Sequence, residues 1–164
     1  MNYTVEKAGL DGIDHIQRLI FEIYPATYSD ILSQEQITFM LQKSYTAEAL
    51  AQTMESGQDF YLLYDMDKNP KGFIALQAKT SAVLRIEKLY LLPKAQGKGL
   101  GKLLIDFAKR EARQRGHSTL ELNVNRNNKA YFFYLKQGFE VIAEVDIPYY
   151  GFVLDDYVMQ LKVD

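Results

Sequence analysis

Leu84-Arg-Ile-Glu-Lys-Leu-Tyr-Leu-Leu-Pro-Lys-Ala-Gln-Gly-Lys-Gly-Leu-Gly101 is the stretch that decides the fold, and Lys102-Leu-Leu-Ile-Asp-Phe-Ala-Lys-Arg-Glu-Ala-Arg-Gln-Arg115 continues it without a break. The first part is β-branched and aromatic, with apolar residues at nearly every second position. It predicts a strand halted by Pro93, which cannot donate a ladder hydrogen bond. Beyond it, Leu100, Leu103, Leu104, Phe107, Ala108 and Ala112 recur at three- and four-residue spacing. That spacing predicts a helix, with Gly116 as its C-terminal stop. Between strand and helix the glycines alternate: Gly97, Gly99 and Gly101.

Three glycines at a helix start remove the side chains that would keep a ligand off the backbone. Successive amide N–H groups can then point into one concavity at the positive end of the helix, which is a cradle for phosphate. Lys98 and Lys102 add charge beside it, and no acidic residue stands between Glu87 and Asp106. The spacing excludes two familiar motifs. Leu103 follows Lys102 where a nucleoside triphosphatase needs Ser or Thr for magnesium, and the third glycine comes one residue early for a dinucleotide fingerprint. A turn that is glycine-rich only for close helix packing is the alternative.

Bulk properties narrow the classes further. The chain has 164 residues, 48% hydrophobic and 24% charged, as suits a single domain over residues 1–164; a chain of this length buries roughly 70% of its unfolded surface. Nineteen basic against twenty-one acidic side chains give a formal charge of −2, so no positive field favours nucleic acid. The absence of cysteine removes disulfides, thiolate metal sites and a cysteine nucleophile together. His15 and His117 have no ligand spacing, and no metal is expected. No basic leader and no long apolar run is present, so the cytoplasm is the expected compartment, with no membrane contact.

Along the chain, Tyr3 to Lys7 reads as a first strand. Asp11 is placed to cap a helix carrying Ile13, Ile16, Leu19, Ile20 and Ile23 on one face, with Pro25 ending or kinking it. Ser33 with Gln36 forms a capping box, and Thr46 opens another helix that Gly57 stops. Glu22, Tyr24, Tyr28 and Asp30 lie either in a solvated loop or on an acidic and aromatic lip suited to a cationic amine. Residues 59–65 and 72–79 read as strands joined by the turn Asp67-Lys-Asn-Pro-Lys71. Ser118 to Val124 alternates as a strand after the central helix, giving a parallel crossover. A helix over Asn128 to Gln137 follows, then two terminal strands, Phe139 to Val145 and Val153 to Val163, joined by the loop Asp146-Ile-Pro-Tyr-Tyr-Gly151.

Leu89 to Gly101 resembles the cofactor-binding motif of the GNAT superfamily of N-acetyltransferases, Gln/Arg-x-x-Gly-x-Gly/Ala, with Gln96, Gly99 and Gly101 as its core. A second family motif, Asn-x-x-Ala-x-x-Phe-Tyr-x-Lys-x-Gly-Phe, is matched by Asn127, Ala130, Phe133, Tyr134, Lys136, Gly138 and Phe139. The resemblance covers roughly the C-terminal half of the chain. It implies the α/β acyl-CoA N-acyltransferase fold: a mixed sheet of six to seven strands with helices on both faces. It also implies acetyl-CoA as co-substrate. The pyrophosphate would rest on the amides of Gln96, Gly97, Lys98, Gly99, Leu100, Gly101 and Lys102, and the pantetheine arm along Leu89, Tyr90 and Leu91, with Asn127, Ala130 and Lys136 on the cofactor side. Within the superfamily, Ile86 to Leu91 followed by the Gln96 to Lys102 core is similar to the PaiA-like polyamine acetyltransferases of bacteria, as is the segment Ile23 to Tyr28. That likeness implies a small amine such as spermidine or spermine as acceptor.

Acetyl transfer to an amine needs the amine uncharged, the thioester carbonyl polarised and the departing sulfur protonated. Amides near Leu89 and Leu91 are candidates for the carbonyl. Tyr134, at the family's tyrosine position, is the candidate acid, while Tyr131, Phe132 and Phe133 read as packing. Glu87 is the candidate base. It shares strand parity with Leu89 and Leu91 unless a bulge intervenes, and it acts directly, through water, or only by holding the cation; a pair with Arg85 or Lys88 is its structural alternative. Two other functions compete: acetylation of protein N-termini or lysines, which needs a peptide groove between the first helices and the terminal hairpin, and a non-catalytic coenzyme A sensor. A homodimer is compatible with either.

Overall fold

The computed structural model describes residues 2–163. Its elements are β1 (Thr4–Ala8), α1 (Ile13–Tyr28), α2 (Gln34–Ser44), α3 (Ala47–Glu55), β2 (Asp59–Tyr64), β3 (Pro70–Ala78), β4 (Val83–Leu91), α4 (Leu100–Gln114), β5 (Thr119–Asn125), α5 (Ala130–Lys136), β6 (Glu140–Tyr149) and β7 (Phe152–Lys162). The seven strands form one sheet in the order β1-β2-β3-β4-β5-β7-β6. Only β4 and β5, joined through α4, run parallel, as the predicted crossover requires.

Each face of the sheet carries its own core. On one side α4 lays Leu104, Ile105, Ala108 and Ala112 against Leu84, Ile86, Leu120 and Leu122, with Tyr134 of α5 in the same cluster. On the other side α1 lays Ile16, Leu19, Ile20 and Ile23 against Phe60, Leu62 and Phe73, with Ile37 of α2 and Leu50 of α3 beside them. Burying a side chain of this size contributes about 1.5–3 kcal/mol, which is why the three- and four-residue stripes of α1 and α4 suffice to place both helices.

Local chemistry explains most element ends. The Ser33 hydroxyl accepts from the Gln36 amide at 3.1 Å, and the Thr46 hydroxyl accepts from the Ala49 amide at 3.1 Å, so α2 and α3 start at the predicted caps. Three boundaries differ from expectation. Asp11 lies in a short 3-10 turn, and α1 begins after Gly12 with no side-chain cap; a Cβ at Gly12 would meet the Ala8 Cβ at 2.8 Å, so a tight approach to β1 sets this start. Pro25 sits inside α1 instead of ending it. The carbonyl that its missing N–H leaves unpaired belongs to Phe21, on the exposed side of the helix, where water can satisfy it. The terminal hairpin is longer than predicted. Residues 146–149 continue β6, Pro148 is tolerated because β6 is the edge strand, and the turn is only Tyr150 and Gly151, at φ +49° and +87°.

Two irregularities in the central strand create the site. Pairing of β4 with β5 runs from Val83–Thr119 to Ile86–Leu122 and stops, although β4 continues to Leu91 and β5 to Asn125. The sheet therefore splits at its centre. On the opposite edge of β4 the register jumps from Ala75–Lys88 to Leu76–Ile86, leaving Glu87 as the extra residue of a bulge.

Candidate active site

The split opens a cleft of about 1340 Å³ that passes from the α4–α5 face of the sheet, between β4 and β5, to the α1–α2 face. At one end lies the glycine loop. Gly97 and Gly99 adopt φ +77° and +78°, where an L side chain is strained, and a Cβ built on either meets nothing within 4 Å. The space in front of them is open, so the packing alternative does not account for these two. It does account for Gly101, whose Cβ would meet the Phe133 ring at 2.8 Å; this glycine lets α4 and α5 touch.

The loop amides are left ready for an anion. The Gln96 N–H is already taken by the Pro93 carbonyl at 3.3 Å, and the Gln96 side chain reaches back to the Leu91 carbonyl at 3.4 Å. The unengaged run thus starts one residue later than expected. From Gly97 to Lys102 no backbone N–H has an acceptor among the described residues, and α4 has no side-chain cap. These residues fit a diphosphate. Of the two lysines, Lys102 lies at the cleft but pairs with Asp106 at 2.7 Å, and Lys98 does not line it. Asn127 and Ala130 line the cleft, whereas Lys136 is exposed outside it.

In β4, Leu92 donates to the Lys71 carbonyl at 2.9 Å. By the alternation of an antiparallel ladder, Tyr90 also faces β3, and the N–H groups of Leu89 and Leu91 point the other way, into the gap that β5 has left. Tyr134, 7% exposed, lines the same passage. Burial, and then the neighbouring Tyr28 phenol, raise its pKa above the ordinary tyrosine value, so it keeps its proton.

Glu87 does not share a face with Leu89 and Leu91. The bulge turns it and Lys88 to the same side, that of Arg85, whose Nε donates to the Glu87 carboxylate at 3.2 Å. Lys88 lies over the Phe60 ring at 5.3 Å with the Gln58 carbonyl as its partner, and burial pushes its ammonium down to about 8.

The acceptor end is aromatic. Because α1 runs through Pro25, Tyr24 and Tyr28 stand one turn apart on a helix, 4.4 Å between ring centres, and line the cleft; they are not in a solvated loop. Tyr45 and Tyr90 complete the group, with the Tyr28 and Tyr90 hydroxyls 3.1 Å apart. Burial raises the pKa of all four. Asp30 lies at the exposed mouth, but Glu22 faces solvent and does not line the cleft. Phe39 of α2 packs on Tyr150 and Phe152 at 5.5 Å each and on Tyr149 at 6.3 Å, with Lys43 over Tyr150 at 4.7 Å. An aromatic bridge thus ties α2 to the hairpin turn.

Sequence reading missed a polar row across β4, β5 and β7. Glu121, 1% exposed, accepts from Lys79 at 2.9 Å and Gln160 at 2.8 Å and is paired with Arg85. Burial alone would raise its pKa, but the hydrogen bonds from Lys79, Gln160 and Arg85 outweigh that and hold the carboxyl below its usual range. Arg85 also donates to the Asn123 carbonyl oxygen at 2.9 Å, and the Asn123 amide donates to Asp156 at 3.2 Å. The alternation of polar residues along β5, Glu121 and Asn123 against Leu120, Leu122 and Val124, was the available signal.

In sequence and fold the chain resembles known proteins. Residues 28–161 match the acetyltransferase (GNAT) domain family, and the chain belongs to it. It is an acetyl-CoA-dependent N-acetyltransferase by that membership. A spermidine N(1)-acetyltransferase of Thermoplasma acidophilum is 29% identical over 148 residues, covering 86% of this chain and 90% of the relative. The crystal structure of a PaiA N-acetyltransferase from the same organism, in complex with coenzyme A, superposes with TM-score 0.85 at 26% identity over 99% of each chain. The ribosomal-protein-S18-alanine N-acetyltransferase of Escherichia coli shares the fold at TM-score 0.75, 16% identical, over 99% of this chain and 94% of that one.

Proposed function

We propose that the chain moves an acetyl group from acetyl-CoA directly to a primary amine of a small cationic acceptor of the polyamine type. The observation that carries this is the continuity of one cleft, from unengaged amides at Gly97 to Lys102 through the β4–β5 split to a pocket walled by four tyrosines. The co-substrate supplies an activated acetyl thioester, and the residues do the rest. The loop amides hold the diphosphate, and the Leu89 and Leu91 N–H groups orient and polarise the acyl carbonyl; removing one such donor from comparable sites costs about 3–4 kcal/mol in the barrier. Tyr134, kept protonated by burial, gives its proton to the leaving sulfur. Glu87 sits on the acceptor side with its charge shared by Arg85, so the preference for a cation rests on Asp30 and Asp156 in the cleft lining. Tyrosine faces strengthen that bias, by about 0.5–2 kcal/mol for each well-placed ring.

A peptide groove would need open space between the first helices and the terminal hairpin, and the Phe39 bridge occupies that position. The relative named a spermidine N(1)-acetyltransferase supports the same choice. Initial rates of thiol release with spermidine, spermine, amino acids, aminoglycosides and peptides bearing free N-termini test it. Polyamines should exceed peptides by at least about tenfold in kcat/KM, a difference of about 1.4 kcal/mol. Equal or better turnover of peptides would overturn the acceptor assignment, and coenzyme A binding without turnover of any amine would favour the sensor.

A further inference from the structure

Three carboxylates line the cleft on the acceptor side: Asp30, Glu87 and Asp156. Asp30 is exposed at the mouth, and Glu87 shares its charge with Arg85. Asp156, on β7, is different. It has no ion pair among the described residues, and its only side-chain hydrogen bond among them comes from the Asn123 amide to one of its two oxygens. The orientation of that amide is not free. Arg85 donates to the Asn123 oxygen, which turns the NH₂ toward Asp156, and Arg85 is itself anchored by buried Glu121. A three-residue relay from the sheet interior thus presents one carboxylate to the cleft with an oxygen left over.

We infer that Asp156 is the catalytic residue that receives the acceptor's ammonium group and takes its first proton. This rests on the acetyltransferase reading above and names the group that reading leaves open. The step balances as follows. An N–H bond of the ammonium breaks and an O–H bond forms on Asp156, leaving a neutral amine whose lone pair makes the new N–C bond as the C–S bond breaks. Tyr134 protonates the sulfur, the resulting phenolate recovers a proton from the amide nitrogen, and Asp156 gives its proton to solvent when product leaves.

The surroundings suit the task. Asp156 lies close enough to Tyr24 and Tyr28 of α1 for its charge to raise their pKa values. Burial raises its own pKa; the Asn123 bond opposes that, Asp155 adds to it, and Arg126 and Arg85 oppose it. The net upward direction makes it a better proton acceptor than an ordinary carboxylate. Glu87 differs from it in that its charge is already shared with Arg85.

The test uses Asp156→Asn and Asp156→Glu in the full chain, with spermidine as probe amine from about pH 4 to pH 10. The Asn variant should bind acetyl-CoA within about twofold of wild type by calorimetry, lose about 100-fold or more in kcat/KM, and lose the acid limb of the pH–rate profile. The Glu variant should recover that limb at lower kcat, which also keeps the test decisive if the Asn variant does not fold. Wild-type turnover with either variant unchanged in rate and pH profile overturns the proposal and leaves the acetyltransferase reading standing. A wild type that binds acetyl-CoA yet acetylates no amine overturns both.

Discussion

Replacing Glu121 by Gln keeps the volume and packing of a carboxylate that is only 1% exposed while deleting its charge. The structure lets the consequence be worked out. Two cations and the Gln160 amide converge on Glu121, at 2.9 Å for Lys79 and 2.8 Å for Gln160, with Arg85 as the third partner. Breaking one side of a buried ion pair costs about 3–5 kcal/mol. Lys79 is half exposed and can turn to water, and Arg85 keeps Glu87 and Asn123, so the lower end applies, about 3 kcal/mol. For a chain of this length that lowers Tm by about 6–12 °C. The pH dependence has a definite sign. The folded carboxyl titrates below the ordinary 4.5, so its stabilisation is fully present above that value and is lost as pH falls through the folded pKa. Urea unfolding of wild type and variant at pH 7 and through the acid range measures this. The gap should be constant near neutrality and close in acid. A gap under about 1 kcal/mol at pH 7, or one that persists unchanged in acid, would show that the buried charge does not organise the row leading to Asp156.

Three further outcomes follow from the site. Gly99→Ala forces an L residue to φ +78°, costing about 1–2 kcal/mol of stability, and projects a methyl into the open cradle; coenzyme A affinity by calorimetry should fall at least about tenfold, and unchanged affinity would remove the diphosphate from this loop. Tyr134→Phe should lower kcat by about tenfold or more with acetyl-CoA affinity nearly intact, checked by steady-state kinetics beside calorimetry, because the ring still packs while the proton is gone. Phe39→Ala removes the bridge between α2 and the hairpin; it should cost about 1 kcal/mol of stability and raise turnover of peptide amines relative to spermidine, whereas an unaltered acceptor ratio would mean that the bridge sets no size limit.

Much of the architecture could be read along the chain because local physics wrote it there. The α4 stripe, the Ser33 and Thr46 caps, the glycine-rich turn after Pro93 and the alternation of β5 each depend on neighbours within a few residues, and each appears where the periodicity puts it. The two prolines that read otherwise share a cause as well. Pro25 and Pro148 read as breakers, yet both stand where the missing hydrogen bond faces water, a fact that depends on which side of a helix or sheet is covered.

The sequence by itself determined that a strand, a glycine turn and a helix would follow one another, and that the chain would build a mixed sheet around that unit. Only the tertiary structure decided where the chemistry on the acceptor side stands. The bulge at Glu87 reverses the face on which that residue lies, and the β4–β5 split joins the two faces of the sheet. Strand pairing brings Asn123 and Asp156 together across 33 positions of sequence. Parity along a strand is a local property, but register between strands is a property of the folded sheet, and one extra residue is enough to exchange the two sides.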